Sequence, residues 1–241
     1  MLYKRFQDII FSKGKPSIRY RKYFNGLFQA IAQVNIMYLV FDIKNAEKDI
    51  IHQYHKERVF AYELYRQWAN ILKEECDKRI VLNAELDKIV KGTKIDFKEN
   101  NDKKKRTGLH LFPDIVLHGG QGSKHRQIII CEIKKAIDPT ISGSKILADL
   151  YKLSCYLDEQ KFSCGDVKPF KYGVFIILNG NLKSIGEKII KSYIWVSSQK
   201  YTFKKFKDEM GSHFNNIICV SYDGNTLYYE TLSTILSQIN V

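Results

Sequence analysis

Apolar residues recur along this chain with two periods, and the alternation between them predicts its elements. From about residue 45 to 78 the period is that of a helix. Ile50, Tyr54, Ala61, Leu64, Trp68 and Ile71 follow one another in steps of three and four once position 57 is included, and position 57 is Glu. An acidic residue inside the apolar stripe has to point inward, whereas Glu63 falls off the stripe and is expected in solvent. Residues 79–88 (RIVLNAELDK) then read as a strand, and 92–108 as a charged loop whose Asp102-Lys103-Lys104-Lys105-Arg106 run is a solvated hairpin tip.

Two apolar runs of strand length follow, LFPDIVLH at 111–118 and QIIICEIKKAI at 127–137. Gly119-Gly120-Gln121-Gly122 separates them, so they are expected as neighbouring hairpin strands. Helical periodicity returns at 146–157. A buried strand, YGVFIIL at 172–178, is closed by Asn179-Gly180. Residues 193–197, a basic helical stretch near 203–210, and strands at 217–222 and 226–230 around Asp223-Gly224 complete the pattern. The order helix, three strands, helix, strand, then an αβ tail predicts an α/β fold with a mixed central sheet and helices on its faces.

Residues 1–45 read as a helical extension preceding an α/β domain at 46–241. Residues 23–41 carry no charge, but Asn25, Gln29 and Gln33, spaced by four, form a polar stripe that a lipid-facing helix would have to bury. No membrane span is therefore expected. The same segment is a candidate either to pack on the core or to pair with a second subunit.

Charge narrows the class of partner. Among 241 residues, 39 Lys and Arg face 26 Asp and Glu, a formal charge of +13 that suits a polyanion such as nucleic acid. The five cysteines are scattered with no C-x-x-C pair, which argues against a disulfide framework or a zinc site. The first residues lack the layout of a secretory signal, and a cytoplasmic location is expected.

The chemistry concentrates on the two central strands. Residues i and i+2 of a strand share a face, so Glu132 and Lys134 project together from an otherwise apolar segment. Such charges cost several kcal/mol unless paired or metal-bound. Asp114, after Pro113, begins the neighbouring strand and can approach Glu132. Two converging carboxylates repel when ionised, and a divalent cation removes the conflict. On the helix from 146, Lys145, Asp149, Lys152 and Tyr156 fall on one face, where Lys145, Lys152 and Tyr156 could meet phosphate. Glu85 can reach the site edge. The stretch 200–207 (KYTFKKFK) reads either as a stacking surface for single strands or as an amphipathic helix with a lysine face.

Pro113-Asp114 followed by Glu132-Ile133-Lys134 resembles the PD-(D/E)xK, restriction-endonuclease-like nuclease superfamily, and the order of elements from 47 to 180 is similar to its αβββαβ core. Glu57-Arg58, Asn83-Ala84-Glu85, the strand 113–118, the segment 130–135 and Asp149-Leu150-Tyr151-Lys152-Leu153 look like one group of uncharacterised bacterial proteins of that class. The resemblance covers a little over half the chain. It implies endo- or exonucleolytic hydrolysis of phosphodiesters, with DNA preferred to RNA, in defence or repair. Asp114, Glu132 and the Ile133 carbonyl would hold magnesium or manganese, with Glu57 as a fourth member, Lys134 would act on the attacking water, and Glu85 and Asp149 would support them. The competing expectation is an inactive nucleic-acid-binding or assembly protein on the same fold.

Overall fold

The computed structural model describes residues 18–35, 41–45, 50–54, 57–74, 80–84, 88–89, 95–96, 110–111, 113–119, 127–135, 143–162, 168–196 and 199–239. Helix α1 (Ile18–Gln33) is followed by the strands β1 (Phe41–Asn45) and β2 (Ile50–Tyr54), helix α2 (Glu57–Glu74) and strand β3 (Ile80–Ala84). The short strands β4 (Lys88–Ile89), β5 (Ile95–Asp96) and β6 (His110–Leu111) precede the central pair, β7 (Ile115–Gly119) and β8 (Gln127–Lys135). Then come α3 (Gly143–Leu157), β9 (Tyr172–Leu178), α4 (Leu182–Ile190), β10 (Tyr193–Val196), β11 (Gln199–Thr202) and α5 (Phe203–Met210). A 3-10 turn (Gly211–Asn216), β12 (Ile217–Tyr222), β13 (Leu227–Thr231) and α6 (Leu232–Ser237) end the described chain.

Six strands form one mixed sheet in the order β13-β12-β9-β8-β7-β3. The β3-β7-β8 meander is antiparallel, β8, β9 and β12 run parallel, and β13 returns antiparallel. Parallel neighbours need a crossover. Between β8 and β9 it is α3, and between β9 and β12 it includes α4 and α5.

Both faces of the sheet are covered, which explains why β9 and β12 read as continuous apolar runs rather than alternating ones. Val174, Ile176 and Leu178 join α1 and α2 in one buried cluster, while Phe175 and Ile177 join α3, α4, α5 and α6 in the other. On β8 the parity is reset by a register shift opposite Leu117/His118, which leaves Ile128 without a partner. Ile128 and Ile129 consequently both face α1 and α2, and from Ile129 onward the residues alternate.

Several expectations need correction. Residues 45–78 are not one helix. Ile50 and Tyr54 lie in β2, which pairs with β1 from Phe41↔Tyr54 to Asn45↔Ile50, and the helix begins only at Glu57. The Ile-Ile-His-Gln-Tyr run matched the helical spacing by coincidence, and its β-branched pair suits a strand. Helix α1 packs on the core, one of the two roles expected of the N-terminal segment. Tyr23, Phe24, Leu27, Phe28, Ala30, Ile31 and Val34 are core residues, and Tyr222 donates its hydroxyl to the Val34 carbonyl at 3.3 Å. A Cβ on Gly26 would lie 3.4 Å from Ile71 and 3.5 Å from Trp68, ordinary contact distances across the seam between α1 and α2. Asn25, Gln29 and Gln33 are exposed, as their spacing predicted, but the apolar face proposed for a second subunit is covered by this chain's own sheet. No described helix is long and apolar enough to cross a membrane. The 102–106 run lies outside the described residues.

Candidate active site

The site forms where β7 and β8 meet the N-terminal half of α3 and the first residue of α2. Asp114 precedes β7, and its backbone N–H donates to the Cys131 carbonyl at 3.1 Å. Its carboxylate Oδ2 accepts from the Ile133 N–H at 2.6 Å, so one residue is fixed to β8 twice. Along β8, Cys131 and Ile133 turn toward α1 and α2, and Ile130 turns toward α3. Alternation therefore sends Glu132 and Lys134 to the α3 side, between the apolar partners that surround them on β9, Phe175 and Ile177.

Helix α3 answers with charges of opposite sense. Lys152 Nζ lies 2.6 Å from Glu132 Oε1, and Asp149 Oδ2 lies 3.3 Å from Lys134 Nζ. The spacing explains the match: Glu132 and Lys134 are two apart on a strand, Asp149 and Lys152 three apart on a helix, and both spacings put their side chains on one face. Glu57 enters from α2, with Oε1 at 3.5 Å from Lys134 Nζ. Glu132 Oε1 and Asp149 Oδ2 are buried and lack a well-angled hydrogen bond, so these contacts are ion pairs by distance rather than aligned donor–acceptor pairs.

Four acidic side chains, Glu57, Asp114, Glu132 and Asp149, thus share the cluster with two basic ones, Lys134 and Lys152. If all are ionised, acids exceed bases by two charges. Burial is the first pressure on the carboxyl groups. Burial pushes the Asp114 carboxyl up to about 6, with Glu57 adding to the rise, against the pull of the Ile133 N–H, Lys152 and Lys134. Burial likewise holds Glu132, 3% exposed, well above the ordinary carboxylate range; Asp114 and Asp149 reinforce it and Lys152 opposes it. Burial works against the charge of Lys134, but Asp149, Glu57 and Glu132 outweigh it and raise its pKa.

The residues singled out in the sequence are placed unequally. Asp114, Glu132, Lys134, Glu57 and Asp149 come together. Glu57 arrives for another reason than predicted: it is the first residue of its helix, with a side chain 35% exposed, not an inward residue in mid-helix. Glu63, expected in solvent, is buried, and it accepts from Arg66 Nε at 2.8 Å and Gln67 Nε2 at 2.7 Å. Lys152 turns inward to Glu132. Tyr156 is core, packed edge-on against Phe170 and tilted against Phe162, so it offers nothing to a phosphate. Lys145 is exposed at the start of α3, which Gly143 seats against the end of α4 where a Cβ would have no room. Glu85 lies outside the described residues.

In the 200–207 stretch, Tyr201, Phe203 and Phe206 are buried, leaving an amphipathic helix with exposed Lys204 and Lys207. A concavity of about 530 Å³ at the far end of α3, lined among others by Asp158, Phe170, Lys171, Glu209 and His213, includes none of the clustered residues. The converging side chains Asp114, Glu132, Lys134, Asp149 and Lys152 lie in the charge cluster and not in that recess. Among the described residues no three His, Cys, Asp or Glu side chains converge tightly enough to cage a metal ion. No protein-family model and no curated protein matches the chain.

Proposed function

We propose that this chain is a divalent-metal-dependent nuclease of the PD-(D/E)xK type, with Asp114, Glu132 and Lys134 at its centre. The observation that carries the reading is the convergence of Asp114, Glu132 and Asp149 at the end of β8, carboxyl groups crowded into a largely buried space where a divalent cation would favour their ionised forms. The succession α2, antiparallel β3-β7-β8, α3 and parallel β9 supports it, because it follows the αβββαβ order of that superfamily. The formal charge of +13 supports a polyanionic substrate.

The donor set suits magnesium or manganese. Both take hard oxygen ligands, and magnesium retains several waters, needing only one or two carboxylates. Asp114, Glu132 and the Ile133 carbonyl would hold the ion, with Glu57 at the margin; two carboxylates and a main-chain oxygen need no cage of three side chains. When bound, the ion polarises phosphate and acidifies a coordinated water. Lys134, flanked by Asp149 and Glu57, is held both charged and in place. That suits it to orienting water and offsetting negative charge on phosphate more than to accepting a proton. Lys145, exposed on the same helix, offers a phosphate contact at the edge.

A second reading has one observation in its favour. Lys152 and Lys134 already neutralise much of the cluster from within, as a protein that binds nucleic acid without cutting it would require. The deciding experiment incubates plasmid, linear duplex and single-stranded DNA, and RNA, with magnesium or manganese, for the wild type and Glu132→Ala. Cleavage lost in the variant supports the nuclease. Cleavage that persists in Glu132→Ala removes this site from consideration, and salt-dependent binding without cleavage by the wild type establishes the second reading.

A further inference from the structure

The cation that neutralises Glu132 in this structure belongs to the chain itself. Lys152 Nζ stands 2.6 Å from Glu132 Oε1, and both side chains are enclosed, at 12% and 4% exposure. A lysine meant only to meet phosphate on the surface would have no reason to be turned inward over an apolar strand. Lys145, two turns earlier on α3, is exposed. Lys134 already has two carboxylates of its own, Asp149 and Glu57, so Lys152 is not needed to complete that pair.

Resting on the nuclease reading above, we propose that Lys152 is an internal counter-cation that occupies Glu132 until a divalent ion loads, and that loading proceeds by exchange, with the ammonium leaving Glu132 as the metal arrives. Coulomb repulsion requires the exchange, because an ammonium within hydrogen-bond distance of a ligand oxygen competes with a divalent ion for the same lone pairs. The exchange brings two positive charges to the cluster and withdraws one, so its net negative charge falls by one, and the released lysine carries its charge away from Glu132. It can then pair with a phosphate of the bound strand. Metal affinity in the absence of nucleic acid is therefore held down, and substrate, by accepting Lys152, favours loading.

Two readouts independent of cleavage test this. The first acylates the amines of the wild type briefly and counts modified lysines by mass spectrometry, with and without saturating Mn2+. Lys152 labelling should rise several-fold on Mn2+ addition while Lys145 labelling stays constant. The second titrates Mn2+ into the wild type, Lys152→Met, Lys152→Gln and Asp114→Ala by calorimetry. Both Lys152 variants should bind about ten-fold tighter or more, as expected for deleting a unit charge a few Å from a divalent ion. Asp114→Ala should abolish binding and the labelling change together.

If Mn2+ binds in an Asp114-dependent way but Lys152 labelling and the Lys152→Met affinity do not move, the lysine is a fixed structural partner: the exchange is overturned and the nuclease reading stands. If no Asp114-dependent Mn2+ binding is seen in any variant, both fall. The labelling arm uses the unaltered chain, so it decides the matter even if a Lys152 variant fails to fold.

Discussion

The two faces of β8 are built from the same strand by opposite rules. Toward α1 and α2 it presents Ile129, Cys131 and Ile133, all fully buried among apolar side chains. Toward α3 it presents Ile130 and then Glu132 and Lys134, two charges over an apolar neighbourhood. The first face stabilises by removing apolar surface from water, at about 25 cal/mol per Å². The second costs desolvation that its ion pairs repay only in part, and a well-packed apolar replacement is often as stable or more so. A folding requirement accounts for the first face and not for the second, which is why the second is read as function.

Substitution should separate the two faces cleanly. On the charged face, Glu132→Gln and Lys134→Met should each lower the rate of phosphodiester cleavage about a thousand-fold, the scale of losing a fixed electrostatic group at a reacting centre. The melting temperature should hold or rise for a paired exchange such as Glu132→Leu with Lys152→Leu, which removes both charges at once. On the dry face, Ile129→Ala should cost about 2–4 kcal/mol, measured by denaturant unfolding, through lost burial and a cavity. The Mn2+ affinity of the folded fraction should be unchanged. A destabilised Glu132→Leu/Lys152→Leu protein, or an Ile129→Ala protein that loses its metal, would erase the distinction between the faces.

The same contrast explains what was legible in the sequence. Strands buried on both faces announce themselves as continuous apolar runs, so β9 and β12 were found to the residue, as was α5. Asp114, Glu132 and Lys134 stand out in the sequence because charge in such a run is costly unless it is paired or metal-bound. Glu57 was found by an argument that does not hold, since the 50–54 segment is a strand. The antiparallel pairing of β2 with the preceding β1 leaves no trace in the helical periodicity. Lys152 and Tyr156 were put on one polar helix face, yet they have different fates. The helix turns Lys152 to β8, while Tyr156 meets Phe162 and Phe170, residues beyond the helix whose packing its own periodicity does not show. An inward role for Lys152 had one signal in the text, the complementary order of Asp149 and Lys152 against Glu132 and Lys134.

Acid–base behaviour sharpens the comparison further. In the metal-free protein, with a chelator present, Asp114 is held at about 6 against an ordinary 3.8. A raised carboxyl favours folding in its protonated form, so its contribution is full below about 4 and is lost as the pH rises through 6. Unfolding free energy should fall by roughly 2–3 kcal/mol across that window from this group. Asp114→Asn should flatten the fall, and a wild-type profile that is already flat with chelator would count against the buried excess of acid. Saturating Mn2+ should reverse the trend, since the ion replaces the proton.

Glu63 provides the opposite sign and the smallest effect. Its carboxylate lies on α2 away from the cluster, buried at its own atoms but bonded to Arg66, whose side chain is 60% exposed. Arg66 first, and Gln67 after it, hold its pKa below the usual 4.5 despite burial. A lowered carboxyl contributes stability above its unfolded pKa and loses it as the pH falls through the folded one. Glu63→Gln should therefore cost only about 0.5–1 kcal/mol near pH 7, because one partner stands in solvent. The loss should shrink as the pH falls below 4.5 and through the lowered pKa of the folded state, and cleavage should not change. Two buried carboxylates in one chain would then show stability profiles of opposite slope, one satisfied by its own helix and the other waiting for a cation. Equal slopes for Asp114→Asn and Glu63→Gln would mean that Asp114 is as fully satisfied as Glu63, and the case for a metal at β8 would lose its physical ground.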